Sequence, residues 1–283
     1  MAEVIHRHEN QAVESIRAVL ERRSFKFVIG LLALISLILL LAPTVIVVIA
    51  SFTSAFSLKF PPPGYSIKWY EALLNDSPEI ISAFGLSLKV AAIATCVSVV
   101  LAVSAALALA RRKEKWARAA EAVFLSPLML PTLALGLALL MLFNLAGHGL
   151  SFWTLIIGHI AITSPYIVRT TTASLSQMDR SLLESARSLG ASGWFTFWTV
   201  TLPLIAPGIL AGSFIAFMYS FDNVAVSLFL SDARSEVLPI RMWHIIESNL
   251  DVRAAAVSGV LIGATLVLML VMEKFVGISK HVR

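Results

Sequence analysis

Apolar residues along this chain fall in long runs separated by short polar segments, and neither strand-like alternation nor a narrow helical stripe dominates. Crossing ~30 Å of hydrocarbon takes roughly 20 helical residues at about 1.5 Å each. Irregular backbone facing lipid is excluded, because its N–H and C=O groups would find no partners. Six runs qualify as spans: Phe27 to Phe52, Phe84 to Ala110, Ala119 to Phe143, Phe152 to Val168, Leu204 to Leu230, and Ala254 to Met272. The third contains Pro127 and Pro131, and the fourth is the shortest. The predicted fold class is an all-α membrane protein with six transmembrane helices.

Composition agrees with that pattern. Of the 283 residues 58% are hydrophobic and 14% charged, against roughly 25% charged in soluble domains. The single cysteine, Cys96, lies within an apolar run and is read as a packing residue; neither a disulfide nor a cysteine-based metal site follows from it. No cofactor or metal is expected.

Lys and Arg are retained on the cytoplasmic side of membrane proteins. Sixteen of the 22 fall in one alternating set of segments: the N-terminal arm, the second-to-third loop (Arg111 to Arg118), the fourth-to-fifth loop and the C-terminal tail. The opposite set holds five: Lys59, Lys68, Arg234, Arg241 and Arg253. Both termini are therefore expected in the cytoplasm, and the basic charge is read as topology rather than nucleic-acid binding. The domain reading is a cytoplasmic arm at 1–26, a six-helix membrane domain at 27–277 and a tail at 278–283. The first run is too long for a signal-peptide core of about 7–15 residues, so it is expected to remain as a span. Ala12, Val13, Ile16, Val19 and Leu20 fit an amphipathic helix on the membrane surface, and a solvated tail fits the same residues.

The loop at 178–203 is too long for a tight turn and carries ordered helix signals. Ser181 and Glu184 form a capping-box pattern, Asp179 is an alternative cap, and Gly190 is a C-terminal stop. A helix of about nine residues is predicted, with Leu182, Leu183, Ala186 and Leu189 as its apolar face. A second short helix is predicted from Ser192 through Trp198, and Pro203 marks entry to the fifth span.

Within that loop, Glu184-Ser185-Ala186, three residues, Gly190, nine residues and Val200-Thr201-Leu202-Pro203 resemble the EAA motif of binding-protein-dependent ABC importers. Ser185 and Val200 depart from the family pattern. Pro61-Pro62-Pro63-Gly64, Lys68-Trp69-Tyr70, Ser87 to Val90, Ser220 to Val224 and Leu238-Pro239-Ile240 extend the similarity, most nearly to spermidine/putrescine permease subunits and their relatives. The resemblance implies a type I importer fold whose cytoplasmic loop couples to an ATPase. It assigns Glu184, Ser185, Ala186, Gly190, Leu202 and Pro203 to that coupling. The implied partners are a dimer of ATP-binding cassette ATPases, a second permease subunit, a periplasmic or extracytoplasmic solute-binding protein and membrane lipid, with this chain placed in a bacterial inner membrane. Each motif residue also has a local use: Glu184 as capping partner, Ala186 as helix filler, Gly190 as cap.

Ionisable groups inside a span are costly, by about 2.5–3.5 kcal/mol at a helix centre, and so mark functional candidates. Asp222 lies roughly 28 Å along the fifth helix from Pro203, in the outer half of the membrane. Gly208, Gly212, Ile215 and Tyr219 share its stripe, and the G-x-x-x-G spacing turns that stripe toward protein or a cavity. Asp222, Tyr219 and Phe221 are the candidate substrate pathway, suited to an ammonium group by charge and cation–π attraction. The competing reading pairs Asp222 with Lys89. His159 is expected to be a satisfied packing histidine. No P-loop, H-E-x-x-H or G-x-S-x-G motif occurs, so ATP hydrolysis by the chain itself is not expected. An ion-coupled secondary transporter is the alternative; it predicts internal repeats, and none is evident.

Overall fold

A computed structural model describes residues 2–110, 112, 114–232, 235–249 and 251–276, with side chains described from residue 25 onward except at 180, 248, 249, 275 and 276. Lys113, Arg234 and the tail 278–283 lie outside the described residues. Helix α1 runs from Ala2 to Ser51, so the N-terminal arm passes into the first span without a break. Helix α2 (Lys68–Asn75) is a short helix before α3 (Pro78–Leu109), the second span.

The expected third span is broken. Helix α4 (Lys115–Leu125) leads into a 3-10 turn at Ser126–Leu128, and α5 (Thr132–Leu145) leaves it at 106°. Pro127 sits in the turn and Pro131 precedes α5 in an extended conformation, φ −57° and ψ 124°. Neither proline can donate to a helix ladder, so the hydrogen bonding of α4 is not carried into α5.

Helix α6 (Phe152–Gln177) is capped by a box in which Ser151 and Thr154 exchange side-chain and backbone hydrogen bonds. The loop forms α7 (Arg180–Ser188) and α8 (Gly193–Thr196), and a π-helical turn at Phe197–Thr201 joins α8 to α9 (Leu202–Phe221). In that turn the amide of Leu202 bonds the carbonyl of Phe197, five residues back. The wider ring lets the helix continue past Pro203, so the expected entry point of the fifth span is instead the interior of a helical run from Gly193 to Phe221. The far end of that span is also broken: Asp222 and Asn223 leave the helix, and α10 (Val224–Leu230) restarts after them. Helices α11 (Leu238–Asn249) and α12 (Arg253–Val276) complete the chain.

Among the described residues four helices are long and apolar enough to cross a membrane, within Phe25–Ser51, Pro78–Leu109, Gly193–Phe221 and Arg253–Lys274. The bent α4–α5 pair makes a fifth when counted as one span. Helix α6 covers the fourth predicted segment; at 26 residues it is long enough, but it carries Ser, Thr and His along much of its length. Its polar groups are tolerated because they meet protein rather than lipid. Thr154, His159, Thr163 and Thr171 are all buried.

Helices α3, α6 and α9 pack closely and form the centre of the bundle, with α10 and α5 against one side, and α1 paired with α12 at the edge. Val90, Leu155, Ile162, Val226, Leu230 and Ile240 make the largest buried cluster, where α3, α6, α10 and α11 meet. The Gly208–Gly212 stripe faces α6: a Cβ at Gly212 would come within 3.0 Å of Ile167 Cα, and one at Gly208 within 2.9 Å of the Thr170 carbonyl. These glycines permit close helix approach. Cys96, expected to pack, is exposed on α3 in the isolated chain.

Candidate functional site

Two regions collect the residues singled out above, one at each end of the α3–α6–α9 bundle. The first is the loop. Its nine-residue helix α7 has the predicted length, but its N-cap is Asp179, whose carboxylate accepts the amide of Ser181 at 2.9 Å. The Ser181–Glu184 capping box does not form, because Asp179 already satisfies the free amide at that end. The same hydrogen bonds from Ser181 hold the Asp179 carboxyl below the usual carboxylate range.

The other end of α7 closes in a Schellman arrangement. Gly190 has φ +79°, its amide bonds the Arg187 carbonyl at 2.9 Å, and the amide of Ala191 bonds the Ala186 carbonyl at 3.0 Å. A Cβ on Gly190 would meet no atom within 4 Å, so backbone conformation rather than space calls for glycine there.

Glu184 and Arg187 line a cleft of about 470 Å³, together with Leu107 of α3, Ala110 just beyond its end, Leu175 from α6 and Leu183. Ser185 and Gly190 are exposed, Ala186 and Leu202 half-buried, and Pro203 exposed. Outside the cleft the loop presents bare apolar surface: Leu189 is 88% exposed and Trp194 72%, with Phe195 and Trp198 beside it. Trp194 packs edge-on against Trp198, ring centroids 5.6 Å apart. Aromatic groups held rigidly and left uncovered are what a protein partner's pocket takes up.

The second region is the broken end of the fifth span. Asp222 caps α9 at the break and is exposed in the isolated chain. With Phe221 it opens into a cleft of about 240 Å³ formed with Leu238, Met242 and Trp243 of α11 and Val257 of α12. Asp222 is the one charged residue among those lining it. Phe221 is fixed there by an edge-on contact with Phe84, centroids 5.7 Å apart.

Tyr219, predicted beside them, is not among the residues of that cleft. Its hydroxyl lies 3.3 Å from Thr132 Oγ1 and its ring 5.0 Å from Tyr166, so it joins α9 to α5 and α6. Asp222 and Lys89 form no ion pair among the described residues. His159 is buried, as expected, with both ring nitrogens hydrogen-bonded to serines.

Sequence reasoning missed the charged network at this same end. Glu79 lies 3.8 Å from Arg241 and 3.7 Å from Arg253, Arg241 also meets Glu236 at 3.4 Å, and Arg253 meets Asp251 at 2.7 Å. Glu79 stands more than 150 residues from Arg241 and Arg253, and no local spacing joins it to them. Burial works against ionisation of Asp251, but side-chain and backbone hydrogen bonds from Arg253 and its charge outweigh it, leaving the carboxyl below the usual range.

Residues 98–278 match the family model described as "Binding-protein-dependent transport system inner membrane component". The chain is 29% identical over 240 residues to the spermidine/putrescine transport system permease protein PotC of Haemophilus influenzae, covering 84% of this chain and 92% of that one. It is 31% identical over 232 residues to the putrescine transport system permease protein PotI of Escherichia coli K12, covering 80% and 82%. Among solved structures, a chain of a bacterial ABC transporter involved in import of the acidic polysaccharide alginate superposes with a TM-score of 0.67 at 14% identity, covering 93% of this chain and 99% of that one. A chain of an amino acid ABC transporter superposes with a TM-score of 0.55 at 18% identity, covering 75% and 97%. At these identities the structural likeness concerns the fold.

Proposed function

The chain belongs to the family of binding-protein-dependent transport system inner membrane components, and we propose on that premise that it forms part of the path by which an ATP-driven importer admits a polyamine or other small organic cation. It is a permease subunit of an ABC importer. The alginate transporter chain of the same fold belongs to an importer of an acidic polysaccharide, so fold does not choose the solute. The assignment rests on Asp222, the one charged residue of a mostly apolar cleft that includes Trp243 and Phe221. A carboxylate and aromatic faces at the edge of such a cleft attract an ammonium group and offer nothing to an anion.

The loop at the other end of the bundle takes the ATPase. Glu184, Ser185, Ala186, Gly190, Leu202 and Pro203 carry the motif, and the uncovered Leu189, Trp194 and Phe195 supply the apolar contact. In this reading the loop and both termini are cytoplasmic, and the Glu79–Arg241–Arg253 network faces the side from which a binding protein delivers solute. The partners are two ATPase subunits, a second permease chain and that binding protein; the chain itself performs no chemistry.

Reconstituting the chain with its second permease, ATPase and binding protein in vesicles tests this directly. Labelled putrescine or spermidine should enter only with ATP and binding protein present. Uptake driven by an ion gradient without the ATPase would establish the secondary-transporter alternative instead.

A further inference from the structure

His159 is 1% exposed, two turns into α6, and its two ring nitrogens reach two different helices. Nδ1 lies 2.8 Å from Ser220 Oγ near the end of α9, and Nε2 lies 3.2 Å from Ser227 Oγ within α10. Between those serines stand Phe221, Asp222 and Asn223, the break itself. One imidazole thus spans the interruption from behind.

The serines are turned toward it against their usual habit. Buried from lipid or not, a helical serine ordinarily donates to the carbonyl four residues earlier, as Ser104 does to Val100, Ser213 to Ile209 and Ser258 to Ala254. Ser220 and Ser227 direct their hydroxyls to His159 instead. A neutral imidazole has one donor and one acceptor nitrogen, and a hydroxyl serves either, so both bonds form without a charge.

The surrounding packing holds the same arrangement. Beside His159, a Cβ on Gly158 would overlap Leu230 and stand 3.1 Å from Val226 Cγ1, so α10 rests directly on α6 at that glycine. On the other flank, a Cβ on Gly136 of α5 would come within 3.0 Å of the Ala225 carbonyl. Asn223 caps α10 by accepting the amide of Val226 at 2.8 Å. Asp222 is therefore the link between two helix ends whose separation and angle are set by buried contacts.

We infer that His159 is a positioning residue for solute recognition: by tying Ser220 to Ser227 it fixes the direction in which Asp222 leaves the broken helix. This rests on the reading of Asp222 as a solute contact. His159 touches no solute, and its effect passes through the geometry of the break.

The test uses the assembled transporter in vesicles with His159→Phe, which keeps a ring of similar size but makes neither hydrogen bond, and His159→Gln, which keeps a donor and an acceptor. His159→Phe should raise the apparent KM for putrescine about tenfold with the maximal rate changed less than about twofold, as expected for losing one or two net hydrogen bonds that act on binding geometry. His159→Gln should stay within about threefold of the parent. In an Asp222→Asn background His159→Phe should add nothing further, because both changes act on the same contact. Independently of solute, the rate at which a water-soluble thiol reagent modifies Asp222→Cys, in a Cys96→Ala background, should shift severalfold with His159→Phe. If His159→Phe fails to assemble, Ser220→Ala and Ser227→Ala each remove one end of the tie and should raise KM by about threefold. A lower maximal rate or yield at unchanged KM, additivity with Asp222→Asn, or an unaltered thiol rate would overturn the inference. Should Asp222→Asn alone leave KM unchanged, the solute contact is what fails, and the thiol rate alone then decides whether His159 positions the break.

Discussion

The amide of Ala191 bonds the carbonyl of Ala186 at 3.0 Å, across a Gly190 whose φ is +79°. Two residues of the proposed coupling motif, Ala186 and Gly190, are therefore joined through one helix terminus, and a change at either alters the shape of that terminus. Gly190→Ala isolates the backbone cost, roughly 1 kcal/mol for a left-handed non-glycine residue, since the added methyl meets nothing. Uptake should fall only in part. Gly190→Asp adds a carboxylate at the negative end of α7 and bulk on the surface proposed for the ATPase, and should abolish both uptake and solute-stimulated ATP hydrolysis while the subunit remains in the membrane. Parent-level transport by Gly190→Asp would remove the coupling assignment.

Asp222→Asn should weaken transport by at least about tenfold in apparent affinity, the effect of losing a counter-charge from a site the solute desolvates, with assembly preserved. Because Lys89 and Asp222 are not paired, adding Lys89→Met should rescue neither affinity nor detergent stability. Recovery in the double mutant would reinstate the pair.

Orientation is checked by labelling. In a Cys96→Ala background, Lys59→Cys and Lys115→Cys occupy exposed positions on opposite sides of α3. An impermeant maleimide applied to intact cells should reach Lys59→Cys alone; equal labelling of both would contradict the six-span topology.

The close approach of α6 and α9 predicts that Gly212→Leu costs about 1–3 kcal/mol by overpacking, because even a Cβ there comes within 3.0 Å of Ile167 Cα. Thermal unfolding in detergent should show a lowered midpoint, and Gly263→Leu, where nothing lies within 4 Å, should not.

Asp251 both bonds the Arg253 side chain and accepts the Arg253 amide at 2.9 Å, at the start of α12. Its carboxyl is depressed in the folded chain, so its stabilisation is present above the unfolded value of about 3.9 and is lost as pH falls below that, through the folded value. Asp251→Asn should leave stability at pH 7 lower by under about 1 kcal/mol, since the pair is partly solvated. It should also flatten the loss of stability below about pH 4. Melting curves of parent and variant that differ equally at both pH values would refute the linkage.

The sequence showed what depends on neighbours along the chain. Runs of apolar residues place the spans, and Gly190 and Ser192 mark helix ends, because a left-handed glycine and a capping hydroxyl are local requirements. Pro127 and Pro131 were visible, but the 106° bend they allow was not, since a proline reports a missing donor and not the direction the chain then takes. At the second site, Asp222 and Phe221 stood out by charge and position. Tyr166 and Trp243 did not, because only the packing of separate helices brings Tyr166 to Tyr219 and Trp243 to the Asp222 cleft. His159 looked like an ordinary buried histidine, and its two serine partners, 61 and 68 residues away, could be found only in three dimensions.

The π-helical turn before Pro203 has a mechanical consequence. Helical residues run on through it from Gly193 to Phe221, so the loop aromatics and the residue preceding Asp222 are the two ends of a single beam of 29 residues, about 43 Å long, with Pro203 and Pro207 each leaving one amide out of its ladder. A sideways push at Trp194 therefore bends the beam first at those two prolines. What they do not absorb swings the far tip, with the glycine-mediated contact on α6 as fulcrum.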